Sequence, residues 1–441
     1  MSAARFVYTI VVFLAAPFAA LYLLYRSRRQ PEYRLHWGER FGFARIAADA
    51  RQPLIWVHAV SVGETRAAEP LIKLLAERYP RHCFLLTHMT PTGRAAGAEL
   101  ASQWPGRVTQ SYLPYDLPYA VRRFLRAFRP VLGISIETEA WPNLLAIAAQ
   151  VRVPMALVNA RLSERSYQLS RRYAALLRET AACFSAVLAQ TDADAARLRT
   201  VGAHQVEVVG NMKFDFAPDR ALVDRGIAWR RVLGDRPVWL FASTRDGEEE
   251  MLMTALSGRD DAAVIIVPRH PQRFDQVGRL IEAHGVPLVR CSELHFDSRT
   301  GANIFLGDSM GEMAMYYAAA DVAFVGGSLV SLGGQNLIEA CAVGTPVVVG
   351  AHTFNFAQAT EDAIAAGAAV RGDTAADVIA AMASITAQPG RRECMSEAAL
   401  RFAMAHRGAT ARTADRLARL IAAESVSRAA SESAKALTPD R

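Results

Sequence analysis

The sequence predicts an α/β protein with two doubly wound, Rossmann-like domains and an N-terminal membrane helix. Three observations lead to this prediction. The 441 residues are about twice the size of an ordinary domain. Short apolar runs rich in β-branched residues alternate with segments of helical periodicity, a pattern typical of βα units in a parallel sheet. A polar stretch near residues 217–235 interrupts this alternation, which then begins again.

The composition is that of a globular protein and excludes several other classes. It is 51% hydrophobic and 21% charged, with 28 glycines and 20 prolines spread along the chain, which excludes collagen-like and low-complexity sequences. The 5 cysteines show neither CxxC nor Cys/His ligand spacing. We therefore expect no disulfide framework and no zinc site, and a reducing compartment fits. The net charge of +7 favours an anionic partner without identifying it.

The first element is an apolar segment near the N-terminus. Residues 6–24 carry no charge and are nearly long enough to cross a hydrocarbon core, with Pro17 as a tolerated kink. A cleaved signal peptide is less favoured, because the apolar stretch is long and the strongest positive charge, at Arg26, Arg28 and Arg29, follows it. By the positive-inside rule these arginines keep the rest of the chain in the cytoplasm. An uncleaved single-pass or monotopic anchor is expected, with a buried core helix as the alternative.

Basic side chains continue beyond this segment, at Arg34, Arg40, Arg45 and Arg51. A cation next to an anionic leaflet gains about 1 kcal/mol, so anionic membrane lipid is an expected partner; a merely solvated stretch is the alternative. Nucleic acid is not expected as a partner, because stacking aromatic residues are not interleaved with these arginines and no nucleic-acid-binding motif accompanies them.

Apolar runs predict the strands of the two domains. In the first half they occupy residues 54–60, 83–89, 131–137, 154–160, 186–191 and 206–210, and in the second half 238–243, 263–269, 286–290, 303–308, 322–327 and 346–350. Ligands of such sheets bind at the carboxyl ends of the strands, here in a predicted cleft between the domains. Neither half has G-x-G-x-x-G after its first strand, and the chain has no P-loop motif. These absences argue against a nicotinamide dehydrogenase and a P-loop NTPase.

This organisation predicts five segments. They are an anchor (1–26), a first Rossmann-like domain (27–215), a second Rossmann-like domain (216–395), a C-terminal helical segment (396–425) and a disordered tail (426–441).

Carboxylates follow two strands of the first half. Glu64 lies where the loop 61–63 enters a predicted helix, a position in which the helix dipole stabilises a carboxylate. It is either a general base or a helix-opening acid. Glu137 ends an apolar strand and Glu139 follows two residues later. An acid at such a position requires solvation or a partner, so both glutamates are candidates for a functional role. Lys213 lies among turn residues at the domain junction, either as a site cation or as an ordinary surface lysine.

The second half offers groups suited to phosphate. Residues 243–245 precede a glutamate-rich first helical turn and leave backbone N–H groups available. Arg269 follows a strand and has the bidentate fork that suits phosphate. The segment 326–350 contains two diglycines, and a helix opened near Asn336 carries Glu339 in its first turn. Phosphate at that N-terminus and a ribose hydroxyl on Glu339 would form a nucleotide site.

One metal-like pattern is better explained as a helix cap. Asp192-Ala193-Asp194 has the D-x-D form that some sugar-nucleotide enzymes use for metal. Thr191 with Asp194 also forms a capping box, which is the favoured interpretation.

Several motifs taken together resemble the bacterial 3-deoxy-D-manno-octulosonic acid (Kdo) transferases of lipopolysaccharide synthesis. The resemblance covers roughly residues 1–425, and its motifs, in order, are WVHAVSVGE, ETEAWPN, VNARLSERS, GNMKFD, PRHPQRF, GDSMGEM and GGSLVSLGGQNLIEACAVGTPVV. It implies a GT-B glycosyltransferase that moves Kdo from CMP-Kdo to the lipid A precursor, lipid IVA, at the cytoplasmic face of the inner membrane. Direct displacement without a protein nucleophile would invert the anomeric centre.

The resemblance also implies roles for individual residues. Glu64 corresponds to the family's general base, and Glu137 and Lys213 to residues that support the transition state. The CMP-binding segments correspond to Pro268, Arg269, Met310, Gly311, Glu312, Asn336, Leu337, Ile338 and Glu339. Met212 stands where the family usually has leucine, a volume-conserving change.

No cofactor and no metal are expected, because protein cations can balance the charge of a nucleoside monophosphate leaving group. The nearest alternative function is a membrane-associated GT-B transferase that uses a UDP-sugar. A non-catalytic sugar- or lipid-binding protein and a soluble sugar-nucleotide epimerase are further alternatives, and the epimerase leaves the anchor unexplained.

Overall fold

A computed structural model describes residues 2–43, 52–215, 217–294, 296 and 302–436. The chain forms two compact units, Met1–Asp215 with Gly408–Arg441, and Phe216–Arg407. Arg45 and Arg51 of the basic stretch lie outside the described residues.

The first unit is built around a parallel sheet with strand order β3-β2-β1-β4-β5-β6-β7. Its strands are β1 (Leu54–His58), β2 (Cys83–His88), β3 (Val108–Tyr112), β4 (Leu132–Ile136), β5 (Met155–Ala160), β6 (Ala186–Ala189) and β7 (Val206–Val208). Its helices up to residue 215 are α1 (Ala3–Arg26), α2 (Val62–Arg78), α3 (Pro91–Ala101), α4 (Pro118–Phe128), α5 (Pro142–Gln150), α6 (Glu164–Ser170), α7 (Ala174–Ala182) and α8 (Asp192–Thr200).

The second unit also has a seven-stranded parallel sheet, with strand order β10-β11-β9-β8-β12-β13-β14, in which β11 lies between β9 and β10. Its strands are β8 (Val238–Thr244), β9 (Ala263–Pro268), β10 (Leu288–Arg290), β11 (Ile304–Leu306), β12 (Val322–Val325), β13 (Val347–Val349) and β14 (Ala369–Arg371). Its helices are α9 (Arg220–Val232), α10 (Glu248–Ala255), α11 (Phe274–Ala283), α12 (Met313–Ala319), α13 (Ile338–Val343), α14 (Ala357–Ala365), α15 (Ala375–Thr386) and α16 (Pro389–Ala405).

Alternation along β1 shows why continuous apolar runs form these sheets. Ile55 and Val57 belong to the core on one face of the first sheet, whereas Leu54 and Trp56 belong to the core on the other face. A strand covered by helices on both faces must be apolar at every position. The α/β prediction with two doubly wound domains is confirmed.

The structure adds two strands that the sequence did not predict, β3 and β14. Each lies at an edge of its sheet. β3 reads VTQSY and is only partly buried at Thr109 and Gln110, and β14 has three residues. Edge strands are paired on one side and less covered, so they lack the continuous apolar run that marks a central strand.

The C-terminal helix α17 (Ala409–Ala436) returns the chain to the first unit. Ala414, Leu417 and Ile421 pack with Met212 in the core beneath α2. The carboxylate of Asp215 accepts the N–H groups of Gly408 and Thr410 at the start of α17. Residues 396–407 pack with the second unit, and the helix continues beyond residue 426, where the sequence predicts a disordered tail. Residues 437–441 of that tail lie outside the described residues.

Helix α1 is long and apolar enough to cross a membrane, yet one face of its first half packs against the rest of the first unit. Arg5 Nη1 lies 3.0 Å from Glu179 Oε1 of α7. The Tyr8 hydroxyl donates to Asp116 at 3.0 Å, and the Thr9 hydroxyl donates to the side chain of Asn143 at 3.0 Å. On the opposite face, large apolar side chains are exposed along the whole helix: Phe6, Val7, Ile10, Phe13, Leu14, Phe18 and Leu21.

Candidate functional site

The carboxyl edge of the first sheet brings the predicted acids together. β1 and β4 are neighbouring parallel strands, with Ile55 opposite Leu132 and His58 opposite Ser135. The loop that carries Glu64 follows β1, and Glu137 directly follows β4. Their negative charges therefore act on one another across one edge of the sheet.

Glu64 lies in the first turn of α2 and is held by its loop. Ser61 is the N-cap, and its hydroxyl accepts the N–H of Glu64 at 3.4 Å. In return, the Glu64 carboxylate accepts the N–H of Val60 at 2.7 Å and the hydroxyl of Ser61 at 3.2 Å. In a standard capping box the carboxylate accepts the N–H of the N-cap residue. Here it accepts the N–H of Val60, one residue before the N-cap. Glu64 is thus a helix-opening acid in structure, while its carboxylate stays partly exposed to solvent.

The surroundings make Glu64 a stronger base than an ordinary glutamate. Burial is the main cause that raises its pKa above the ordinary value of 4.5, and the negative charges of Glu139 and Glu137 raise it further. The hydrogen bonds from Val60 and Ser61 act in the opposite direction. A partly buried carboxylate with a raised pKa at a strand end is the type of group that accepts protons in catalysis.

Glu137 and Lys213 form an ion pair in which Oε1 and Nζ are 2.8 Å apart. Glu137 has a φ of +63°, in the left-handed region that non-glycine residues seldom adopt. Its N–H is nevertheless bound to Val158 O of β5 at 2.9 Å. Such backbone conformations concentrate at functional sites.

The ion pair brings together two residues, Glu137 and Lys213, that are 76 positions apart in the chain.

Sequence reasoning missed two buried polar residues close to these acids, one of which supports the turn that carries Lys213. Asn159 is fully buried and accepts the N–H of Met212 on its side-chain oxygen at 3.0 Å, which fixes the turn that presents Lys213. His58 is also fully buried, and its Nε2 lies 3.9 Å from Glu139 Oε2. Neither residue stands out by spacing, because each acts on a group distant in sequence. Polar residues inside otherwise apolar strands were the available signal.

In the second unit, the predicted phosphate-binding segments also follow neighbouring strands. Pro268 ends β9 and Arg269 follows it. The N–H of Arg269 donates to Thr244 O at 3.0 Å, and its Nε donates to Gln335 Oε1 at 3.2 Å. The backbone of Arg269 is thus bound to the end of β8, and its guanidinium contacts the glycine-rich loop (residues 326–337) between β12 and α13.

The Met310–Glu312 turn follows β11. Met310 is 59% exposed, and Gly311 has a φ of +83°, which glycine adopts without strain. The carboxylate of Glu312 accepts hydrogen bonds from Ser309 and Arg225. Its charge is therefore already balanced by a cation of the same unit.

The glycine-rich loop needs its first glycine for close packing. A Cβ at Gly326 would lie 2.6 Å from Ser243 O, too close for any other residue. Farther along, the Asn336 side chain accepts the N–H of Ile338 at 3.0 Å and donates to Glu339 Oε1 at 3.1 Å. The helix α13 begins at Ile338 with Glu339 in its first turn, preceded by Leu337 as its N-cap.

Glu248 is a buried support that sequence reasoning did not single out. Its carboxylate accepts backbone N–H groups from Arg245 at 2.8 Å, Gly327 at 2.6 Å and Leu329 at 3.0 Å. Burial raises its pKa, and these three hydrogen bonds oppose that change. Glu248 therefore joins the turn after β8 to the glycine-rich loop after β12. The sequence predicts that residues 243–245 offer backbone N–H groups to phosphate. One of these groups, the N–H of Arg245, is already bound by Glu248.

The D-x-D pattern is a helix cap, as predicted. Thr191 accepts the N–H of Asp194 at 3.1 Å and donates to its carboxylate at 2.6 Å. Within the residues that the structure describes, no group of three or more His, Cys, Asp or Glu is arranged to hold a metal ion.

Comparison with known proteins places these features in a family. Residues 35–216 match a family model described as 3-deoxy-D-manno-octulosonic-acid transferase (kdotransferase). A 3-deoxy-D-manno-octulosonic acid transferase of Bordetella pertussis is 47% identical over 427 residues, which are 94% of this chain and 98% of the relative. Another, from Haemophilus influenzae, is 34% identical over 422 residues with the same coverage.

The fold is also similar to that of a solved glycosyltransferase from Rickettsia africae. The TM-score is 0.56 at 13% identity, with 84% of this chain and 99% of that chain covered. At this identity the likeness concerns the fold alone, and it agrees with the GT-B type of two-domain α/β architecture.

We expect Glu248→Gln to loosen the glycine-rich loop. An amide has only one acceptor oxygen, and its NH₂ group would face backbone N–H donors, so buried groups would lose their partners at a cost of about 1–3 kcal/mol. Urea unfolding should show this loss, and hydrogen exchange at the amides of Gly327 and Leu329 should become faster.

The matched control is Glu250→Gln, in the same helical turn but 61% exposed at its side chain. Its stability should stay within about 0.5 kcal/mol of the parent protein. Equal effects of the two substitutions would contradict the supporting role of Glu248.

Proposed function

Because the chain belongs to the Kdo transferase family of glycosyltransferases, we propose that it transfers Kdo from CMP-Kdo to lipid IVA and releases CMP. The observation that carries this proposal is the half-buried Glu64 carboxylate, which burial and two neighbouring acids make more basic at the carboxyl edge of the first sheet. A sugar hydroxyl is too weakly acidic to attack unaided, so the reaction needs such a base.

The reaction we propose is a single displacement. The acceptor hydroxyl oxygen bonds to the anomeric carbon of Kdo while its proton passes to Glu64. The bond from that carbon to the phosphate oxygen of CMP breaks, and CMP leaves with the electron pair. One displacement without a protein nucleophile inverts the anomeric centre.

Lys213 has a specific part in this proposal. Its ammonium offsets the charge of Glu137 at 2.8 Å. Without that cation, an uncompensated neighbouring carboxylate would favour protonation of Glu64 and remove the base. The pair thus supports the transition state by keeping Glu64 ready to accept a proton.

The second unit supplies the donor-binding groups in this proposal. Arg269 offers a cation after β9, in contact with Gln335, and it suits the phosphate of CMP. We assign the rest of the donor site to Pro268, Met310–Glu312 and Asn336–Glu339. Glu339, held by Asn336, suits a ribose hydroxyl. We propose that these protein groups bind the monophosphate without a metal ion.

The first test measures product release with purified full-length protein in detergent. CMP release is expected with CMP-Kdo and lipid IVA, and EDTA should leave the rate unchanged. Glu64→Gln should lower kcat by a factor of about 10²–10⁴, the usual contribution of a general base. Glu69→Gln, on the same helix but 34% exposed and paired with Lys73, should retain activity.

Other outcomes would contradict the proposal in different ways. Release of UDP from a UDP-sugar, with none of CMP from CMP-Kdo, would indicate a different glycosyltransferase. Full activity of Glu64→Gln would refute the role of the base while leaving the donor open. Loss of activity in EDTA that added Mg²⁺ restores would refute metal independence.

A second test uses pH. The base must be deprotonated, so kcat/KM should fall on the acid side below a pKa higher than 4.5. Glu139→Gln removes a negative neighbour, lowers the pKa of Glu64 and should move this acid limb to lower pH. Lys213→Met leaves Glu137 uncompensated and should move it to higher pH. Shifts in the same direction, or none, would contradict the assignment of the limb to Glu64.

We further propose that α1 lies in the cytoplasmic leaflet of the inner membrane as a monotopic helix. Arg5, Tyr8 and Thr9, in its first turns, contact the first unit, so the N-terminal end of α1 must remain on the side of the membrane that holds this unit. The exposed apolar face can enter the lipid, and Arg26–Arg29 suit the anionic surface.

Thiol labelling tests this topology. A membrane-impermeant maleimide should fail to label Ser2→Cys in intact spheroplasts and should label it after permeabilisation. The native Cys394, which is exposed in the second unit, provides the cytoplasmic control. Labelling of Ser2→Cys in intact spheroplasts, with Cys394 protected, would indicate a spanning helix instead.

A further inference from the structure

An apolar groove of about 940 Å³ lies within the first unit, between α1 and α7. We propose that it holds an acyl chain of the phosphorylated glycolipid acceptor, an inference that rests on the proposed function. Residues that form its two long walls include Ala4, Val7 and Val11 of α1, and Ala174, Ala175 and Leu177 of α7. Its volume is in the range of established ligand sites.

The groove is kept open by its construction. Alanines on both walls, such as Ala4 and Ala175, leave space that larger side chains would fill. The separation of the walls is fixed by polar contacts at their sides. Arg5 joins α1 to Glu179 of α7 at 3.0 Å. Outside the groove, Tyr8 also fastens α1 to the body of the unit, through the buried Asp116 at 3.0 Å.

The α1 wall and the polar residues of the groove suit a lipid substrate. Val7 and Val11 are 59% and 56% exposed and belong to the apolar face of α1, so this side of the groove is continuous with the surface that can enter a membrane. The residues Glu139 and Trp141 also line the groove, and they are hydrogen-bonded to each other at 2.9 Å. Glu139 is close enough to Glu64 to raise its pKa.

This continuity decides the orientation of the occupant. A chain that enters from the membrane side brings the polar head to which it is attached toward Glu139, and hence toward the proposed base. Arg172 also lines the groove. It is exposed and forms no ion pair with the described residues, so it can meet a phosphate of the head group. An acyl chain with a phosphorylated head matches both the apolar walls and this cation.

Filling the groove tests the proposal through substrate selectivity. The full chain is assayed in detergent with lipid IVA and with its fully deacylated counterpart, which keeps the phosphorylated sugars. Ala175→Phe should raise the ratio of KM for the acylated to the deacylated acceptor about tenfold, the effect of excluding about two methylene groups. The control is Ala182→Phe, on the exposed end of the same helix, which should leave the ratio unchanged.

A binding measurement is independent of turnover. Lipid IVA with brominated acyl chains should quench tryptophan fluorescence, and Trp141→Phe should remove part of this quenching, whereas Trp104→Phe should not.

If the wild type releases no CMP but Trp141 is still quenched, the proposed function fails and the groove assignment stands. If the wild type is active but Ala175→Phe leaves the KM ratio unchanged, or Trp141 is not quenched, the groove assignment is overturned. Quenching by brominated phospholipid that excess lipid IVA does not relieve would assign the groove to bulk lipid and also overturn it.

Discussion

The ion pair between Glu137 and Lys213 is the interaction on which the first site depends. Three carboxylates gather at one edge of the first sheet, and their mutual repulsion would favour protonated forms. One ammonium, 2.8 Å from the nearest of them, changes that balance. It can do so because Met212, next to it in the chain, is buried in the core and Asn159 fixes the same turn. A hydrophobic anchor thus sets the electrostatics of a polar site.

Both units are built on a seven-stranded parallel sheet, but the residues at the strand ends give the two sheets opposite electrostatic character. In the first, loops after the strands present acids with one compensating cation. In the second, the residues after β8 and β9 present arginines, and the two deeply buried acids at the start of α10 are already occupied. Glu248 accepts three backbone N–H groups, and Glu249 is bound by Arg273 and Thr244. A carboxylate held by backbone N–H groups stiffens a loop without competing with an anionic ligand for the arginines, as an exposed carboxylate would. The fold alone did not dictate this difference; the residues at the strand ends did.

Central strands and strand-end residues could be predicted from the sequence, because burial on both faces forces continuous apolar runs and parallel strands all end at one edge. Those two rules were enough to single out Glu64, Glu137 and Lys213, although the ion pair required three-dimensional information. The strand β3 escaped prediction because an edge strand tolerates Thr109 and Gln110. Asn159 and Glu248 escaped because their partners are backbone groups far away in sequence. The docking of α1 left a faint signal, since Tyr8 and Thr9 are polar residues inside an apolar helix.

The return of α17 to the first unit constrains how the chain can fold during synthesis. Domains generally fold as they emerge from the ribosome, N-terminal first. Here Ala409, Ala414, Leu417 and Ile421 complete a core whose other buried members lie before residue 213. The apolar surface beneath α2 therefore stays uncovered until the second unit has been translated. During that interval α1 has already emerged, and the membrane attachment that we propose for it would keep an incomplete first unit at the lipid surface and apart from other nascent chains.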